Sequence, residues 1–214
     1  MLIQHREHRP TVDATVFVAP TAVLIGNVSI GPRSRVMYGA VLDSEGSRVK
    51  VGECVVVCEN AVLRATAEGD AEYPVTLGDH VFVSPHATLI GCTVERCSYV
   101  ATGATVLQGA RVLSGAAVAV GALVHAGTVV PAGAFVPPNS VAIGDPMKLY
   151  SPSDAEALAD AIRAVDFARR AFGASADWGD RLARYEQATE VRSGEFAEHA
   201  HDRMLVARTP ARGL

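Results

Sequence analysis

A small aliphatic residue recurs at every sixth position along most of this chain, and this spacing constrains the fold more than any other feature. The register is unbroken from Val94 to Val136, and earlier hexads keep it from Val12 to Leu42. A six-residue period matches neither a helix nor a simple alternating strand. It is typical of hexapeptide repeats. The pattern predicts an all-β fold, a left-handed parallel β-helix of about seven coils followed by C-terminal α-helices.

The chain divides by composition into three segments. They are a polar N-terminal lead-in over 1–11, the left-handed β-helix over 12–150, and a C-terminal helical segment and tail over 151–214. Ser151–Asp154 has the hydroxyl, proline and acid of a helix start, and Gly173 predicts the end of that single helix. A second helix is predicted around Trp178 and Leu182, and the tail after Ser193 is expected to be mobile.

Charge and cysteine content exclude several functions. The formal net charge is −4, which gives no reason to expect nucleic acid or an anionic membrane surface as a partner. No apolar run approaches the length of a membrane span. The four cysteines are few and lie within the repeat, as reduced thiols of a cytoplasmic protein would. We therefore expect a cytoplasmic protein without membrane or nucleic-acid partners.

Three segments carry a resemblance to a known family. They are a glycine corner at Ile25–Gly31, a glycine-cysteine corner at Leu89–Val94, and an exit segment at Val136–Lys148. In this order they resemble the γ-class carbonic anhydrase family over about residues 12–172. The resemblance implies a β-helix that assembles as a homotrimer. It also implies a zinc ion held by three histidines that are shared across the subunit interface.

The positions that match the family's three zinc histidines hold other residues. Aligned on the hexads, they are Arg64, Pro85 and Ile90. A guanidinium stays protonated, and proline and isoleucine side chains offer no lone pair to a metal. Without a bound metal ion, nothing lowers the pKa of a water molecule towards neutrality. We therefore expect no metal at these positions and no hydration of CO2.

Charged residues stand where the family has its active-site cleft. Asp43 and Arg64 each follow an inward aliphatic residue one coil apart, and Glu45 and His86 are near in sequence. One hypothesis is a catalytic site for a small organic anion, in which Arg64 binds the ligand and an acid assists. The alternative is a structural salt bridge. A cleft filled by side chains, with Arg64 paired, would favour the alternative.

His125 supports a different hypothesis. Acyltransferases built from hexapeptide repeats use a histidine between subunits as a general base, and coenzyme A lies along their coils. His125 follows an inward aliphatic residue on a late coil. A lone histidine is more often a surface or interface residue, and the late coils lack basic residues for the phosphates of coenzyme A.

A column of potential metal ligands is a further candidate. Cys54, His80 and Cys97 each lie three positions after an inward aliphatic residue, so they are expected to stack. Thiolate and imidazole are good zinc ligands. A line of three residues lacks tetrahedral geometry and a fourth ligand, so the sequence leaves this site open.

The sequence thus predicts a zinc-less homotrimer similar to γ-class carbonic anhydrases that does not hydrate CO2. The main hypothesis is a metal-independent enzyme or binding protein that uses the intersubunit cleft for a small organic anion. The alternatives are a non-catalytic scaffold or regulatory trimer and a hexapeptide acyltransferase dependent on coenzyme A. No cofactor is expected, except coenzyme A under the last alternative. The expected partners are further copies of the chain and a small anionic metabolite.

Overall fold

The fold is a left-handed parallel β-solenoid of about 8 turns followed by helices, as the hexad pattern predicts. It was obtained as a computed structural model that describes residues 1–68 and 71–205. Two faces of the prism have seven strands each, and eight parallel strands on the remaining face bring the solenoid to about 8 turns, one more than the predicted seven. The remaining face, called the first face below, has ten strands, because an antiparallel strand is added at each of its ends.

The strands of each face stack in parallel, one coil above the next. The ten-stranded first face contains Leu2–Gln4, Val23–Ile25, Val41–Asp43, Val62–Arg64, Thr88–Ile90, Thr105–Val106, Leu123–Val124 and Val141–Ile143, with Lys148–Tyr150 and Arg203–Leu205 at its ends. The second face contains Phe17–Val18, Arg35–Val36, Val56–Val57, Phe82–Val83, Tyr99–Val100, Ala117–Val118 and Phe135–Val136. The third face contains Thr11–Val12, Val28–Ile30, Val49–Val51, Val75–Leu77, Thr93–Val94, Arg111–Val112 and Val129–Val130. A separate antiparallel pair is formed by Thr66–Glu68 and Ala71–Tyr73.

The hexad aliphatics form the interior of the prism. Leu42, Leu63 and Leu89 are register partners on the first face and are fully buried. Burial of a leucine side chain contributes about 1.5–3 kcal/mol, so the stacked columns supply most of the driving force for folding. The chain before residue 12 is more than a lead-in, since Leu2–Gln4 pairs with Val23–Ile25 and so begins the first coil.

The C-terminal region is helical, as predicted. It contains α1 (Ala155–Val165), α2 (Phe167–Phe172), α3 (Arg181–Ala197) and a 3₁₀ helix at Glu198–His201. Gly173 ends α2 in a left-handed conformation with φ of 61°.

From Ser193 to Leu205, where the sequence predicts a mobile tail, the structure is regular, and the rest of that predicted tail lies outside the described residues. The helix α3 continues, and Arg203–Leu205 then adds an antiparallel strand to Leu2–Gln4. The sequence could not indicate this pairing, because a three-residue strand at the edge of a sheet leaves no periodic signal.

None of the helices described has the length and hydropathy needed to cross a membrane.

Candidate functional site

Asp43, Arg64 and Ile90 form one column at the end of the first face. Arg64 is the register partner of Asp43 on one side and of Ile90 on the other. This is the arrangement expected from the hexads, in which each residue follows a buried leucine. The first face therefore places a carboxylate, a guanidinium and an aliphatic side chain one strand spacing apart.

Two buried carboxylates bind the guanidinium of Arg64. Its Nη2 lies 3.2 Å from Oδ2 of Asp43 and 3.4 Å from Oε1 of Glu45. The side chains of Asp43 and Glu45 are only 2% and 3% exposed, whereas that of Arg64 is 32% exposed. The backbone N–H of Glu45 also donates to Oδ1 of Asp43 at 3.0 Å, which fixes the turn that carries both acids.

The chain's own C-terminal segment covers this pair of acids. The guanidinium carbon of Arg64 lies 4.6 Å from the centroid of the Phe196 ring, within the range of a cation–π contact. Nε2 of His199 lies 3.3 Å from Oε1 of Glu45 and 3.8 Å from Oδ2 of Asp43. Phe196 and His199 therefore occupy the space in which a substrate would have to meet Asp43 and Glu45.

A carboxylate holds two histidines from opposite ends of the chain. Oδ1 of Asp202 lies 2.6 Å from Nδ1 of His5, and its Oδ2 lies 2.9 Å from Nδ1 of His199. The two imidazole rings stack with a centroid distance of 4.4 Å. None of these three residues was a candidate in the sequence, because His5 is 197 positions from Asp202 and all three lie in segments without repeats.

The surroundings of His199 favour its protonated form. Burial lowers the pKa of His199, but hydrogen bonds to the carboxylates of Asp202 and Glu45 and the charge of Asp43 raise it, and the net pKa is above its ordinary value. The cluster therefore holds a positive charge more readily than an isolated histidine would.

The structure places His86 and Pro85 away from this pair. Both follow the strand Phe82–Val83 of the second face, whereas Asp43 and Arg64 end strands of the first face. His86 is exposed in a left-handed turn with φ of 60°, and its N–H donates to the carbonyl of Glu59. His86 therefore does not join the other predicted site residues within one chain.

His125 lies beneath the C-terminal helices rather than on an open groove. Its side chain is buried, and its ring meets the edge of Phe167 at a centroid distance of 6.0 Å. Burial and the charge of Arg170 lower the pKa of His125. His125 lines a cavity of about 210 Å³ together with Trp178 and Arg181. Ligand pockets usually measure about 300–1,000 Å³, so this cavity is small.

Cys54, His80 and Cys97 lie in turns, as predicted, but their side chains do not bring metal-ligating atoms together. All three have a left-handed backbone, with φ of 54°, 58° and 57°. Over residues 1–68 and 71–205, only one group of three metal-ligating side chains has its ligand atoms within 4.8 Å of one another, and it is His5, Glu45 and His199.

Comparison with curated proteins confirms the resemblance inferred from the sequence. The chain is 40% identical to gamma carbonic anhydrase 2, mitochondrial, of Arabidopsis thaliana over 100 residues, which cover 46% of this chain and 36% of that protein. It is 30% identical to a probable carbonic anhydrase of Methanocaldococcus jannaschii over 102 residues, which cover 44% and 57%. It is also 36% identical to gamma carbonic anhydrase-like 2, mitochondrial, of Arabidopsis thaliana over 88 residues, which cover 40% and 34%. The chain thus matches between about a third and somewhat over half of the length of these relatives.

No protein-family model matches the chain. Among solved structures it is similar to a hexapeptide transferase family protein from Anaplasma phagocytophilum, with a TM-score of 0.46 and 19% identity over 94% of this chain and 98% of that one. At this level the likeness carries no information on function.

Proposed function

We propose that this chain is a zinc-less relative of the γ-class carbonic anhydrases and acts as a non-catalytic scaffold or regulatory subunit. One observation carries the proposal. Asp43 and Glu45, the acids of the former cleft, are buried against Arg64 and lie under Phe196 and His199 of the same chain. A general acid or base must come within hydrogen-bond reach of its substrate, and these two acids do not face solvent.

The replacement of the zinc ligands is the second part of this proposal. At the family's ligand positions the chain has Arg64, Pro85 and Ile90, and none of these side chains binds zinc. The direct test is a stopped-flow CO2 hydration assay on protein purified with added Zn²⁺. We expect a rate equal to the buffer background. Hydration above background that scales with bound zinc would contradict the proposal.

A second candidate function is the binding of a small organic anion in the cleft. One observation favours it: the Arg64 side chain is 32% exposed, and its buried Nε has no hydrogen-bond partner. Binding would require the segment around Phe196 to move away. A thermal-shift screen of small carboxylates and phosphates distinguishes the two functions. A ligand that raises the Tm of the wild type but not that of Arg64→Met supports the anion-binding function. If no ligand raises the Tm, the result supports the scaffold function. Acetyl-coenzyme A in the same screen, with His125→Ala as its variant, tests the acyltransferase alternative.

We also propose that the chain assembles as a homotrimer through the second face. This face exposes a row of aromatic side chains, Phe17, Phe82, Tyr99 and Phe135, each between 40% and 59% exposed. In register order the row reads Phe17, Arg35, Val56, Phe82, Tyr99, Ala117 and Phe135, so its apolar part runs from Val56 to Phe135. Exposed apolar surface of this kind is typical of interaction sites, and symmetric self-association covers it.

Light scattering measures the assembly. We expect a trimer for the wild-type protein and dissociation in Phe82→Asp. The matched control is Leu182→Asp, since Leu182 is 78% exposed on α3 and lies outside the second face. A monomeric wild-type protein at micromolar concentration, or equal effects of the two variants, would contradict this assembly.

We further propose a cytoplasmic location, which is supported by the free state of the cysteines.

A further inference from the structure

The cluster of His5, Glu45 and His199 has two buried ligand atoms without a partner. Nε2 of His5 and Oε2 of Glu45 are both inaccessible to solvent and make no hydrogen bond. His5 is 1% exposed and Glu45 is 4% exposed. A buried polar atom without a partner costs about 1–3 kcal/mol, so two such atoms on neighbouring residues of one cluster need an explanation.

The two imidazoles share a carboxylate partner, as metal-ligating histidines commonly do, and their rings are stacked at a centroid distance of 4.4 Å. The carboxylate of Asp202 accepts a hydrogen bond from Nδ1 of each ring, at 2.6 Å for His5 and 2.9 Å for His199. In protein metal sites a carboxylate commonly holds one ring nitrogen of a ligating histidine and directs the other nitrogen at the ion. Because Nδ1 of each ring lies against Asp202, Nε2 is the nitrogen left for an ion, and Nε2 of His199 already lies 3.3 Å from Oε1 of Glu45.

The charge of the cluster also favours a cation. Asp43, Glu45 and Asp202 are three carboxylates, and Arg64 is the only permanently charged cation that the described contacts place among them. A divalent ion bound among these groups would balance the charge that Arg64 leaves uncompensated on the three carboxylates.

We infer that His5, His199 and Glu45 bind one divalent transition-metal ion, of the Zn²⁺ class, with Asp43 within reach as a fourth ligand. The ligand atoms of the first three residues lie within 4.8 Å of one another. Ligands about 2.0–2.2 Å from a tetrahedral ion are about 3.4 Å apart, so the side chains would draw together by about 1 Å. Oδ2 of Asp43 is 3.8 Å from Nε2 of His199.

This site differs from the zinc site that the family resemblance implies, and its role is structural. None of its ligands lies at the positions of Arg64, Pro85 or Ile90. Four protein ligands leave no open position for water, which is the arrangement of structural rather than catalytic zinc. The ion would join the first strand, the turn after Val41–Asp43 and the C-terminal 3₁₀ helix, and so fasten the C-terminal segment over the cleft.

The test is metal binding to the full chain after chelation and dialysis. We expect one equivalent of Zn²⁺ or Co²⁺ per chain, with visible d–d bands of tetrahedral Co²⁺. At a free zinc concentration of a hundred times Kd, the Tm should rise by about 5–10 °C. His199→Ala and Glu45→Gln should each weaken binding at least about tenfold. The matched control is His201→Ala, because His201 lies exposed in the same 3₁₀ helix and should bind like the wild type.

Several results would overturn the inference. The first is that the wild type does not bind zinc at micromolar concentration. The second is that His199→Ala and Glu45→Gln both retain the zinc affinity of the wild type. The third is that His201→Ala loses as much zinc affinity as His199→Ala. Should the ligand variants fail to fold without metal, X-ray absorption on the wild-type zinc complex decides. Two imidazole nitrogens at about 2.0–2.1 Å and carboxylate oxygen support the site. Sulfur ligation would place the ion at the cysteines instead.

Discussion

Removal of the guanidinium of Arg64 tests whether the cleft is held shut by a buried ion network. Arg64→Met keeps the length of the side chain and its contact with Phe196, since a thioether packs well on an aromatic ring. It removes the permanently charged partner of Asp43 and Glu45 and leaves them only the contact with His199. Removal of one partner from a buried ion pair costs about 3–5 kcal/mol. Because 32% of the Arg64 side chain is exposed, solvent screening reduces the expected loss to about 2–4 kcal/mol.

The assay is urea unfolding at one fixed protein concentration, because the stability of an oligomer depends on concentration. The matched control is Arg111→Met. Arg111 pairs with Glu95 at 3.6 Å, with side chains that are 56% and 35% exposed, so its loss should cost about 0–1 kcal/mol. Adding Asp43→Asn to Arg64→Met should recover part of the loss, because one unpaired charge is then removed. If Arg64→Met lowers the free energy of unfolding by no more than Arg111→Met does, the reasoning is refuted.

Three further predictions concern the core, a helix contact and the thiols. Leu89→Ala should cost about 2–5 kcal/mol in urea unfolding, because Leu89 is fully buried in a stacked column; a loss below 1 kcal/mol would contradict that packing. The hydrogen bond from Arg184 lowers the pKa of Asp166 in the folded protein. The ionised Asp166 therefore stabilises the fold at any pH above its unfolded pKa of about 3.9. This stabilisation is lost as the pH falls through the lower pKa of the folded state. The unfolding free energies of Asp166→Asn and the wild type should therefore converge only in strong acid, whereas a constant difference would count against the contact. Burial raises the pKa of Cys92 to about 12, so a thiol reagent should label the exposed Cys97 in the native protein and Cys92 only after unfolding; rapid native labelling of Cys92 would be the contrary result.

The repeat allowed the core and one pair of site residues to be predicted from the sequence. Because each hexad is one strand and one corner, the positions of Leu63 and Leu89 fix where Arg64 and Ile90 must lie. The neighbourhood of Asp43 and Arg64 follows from the same register. These contacts connect residues one coil apart, and a periodic sequence specifies them completely.

The contacts made by the C-terminal segment could not be predicted in this way. His5 and Asp202 are 197 positions apart, and no repeat relates them. The pairing depends on where α3 ends and on the short strand that follows it. The run Glu198–Asp202 contains two histidines between acids, and this was the one local signal of a polar cluster.

His86 shows a different limit of the sequence argument. Its nearness to Pro85 suggested a place in the cleft, but the corner of the second face turns it into solvent in a left-handed conformation. In a triangular coil, adjacent corners point in different directions. Closeness in sequence therefore does not imply a shared site unless the two residues occupy equivalent positions of the repeat.

Hydrogen exchange tests the central claim, the closure of the cleft by the C-terminal segment, most directly. The strand Arg203–Leu205 pairs with Leu2–Gln4, and this pairing holds Phe196 and His199 over the two buried acids. Exchange of the full chain, followed by peptic digestion and mass spectrometry, should show slow exchange in both strands and a joint loss of protection in mild denaturant. Exchange of residues 203–205 at the rate of an unstructured peptide, with residues 2–4 equally unprotected, would contradict the closed cleft and the non-catalytic function proposed from it.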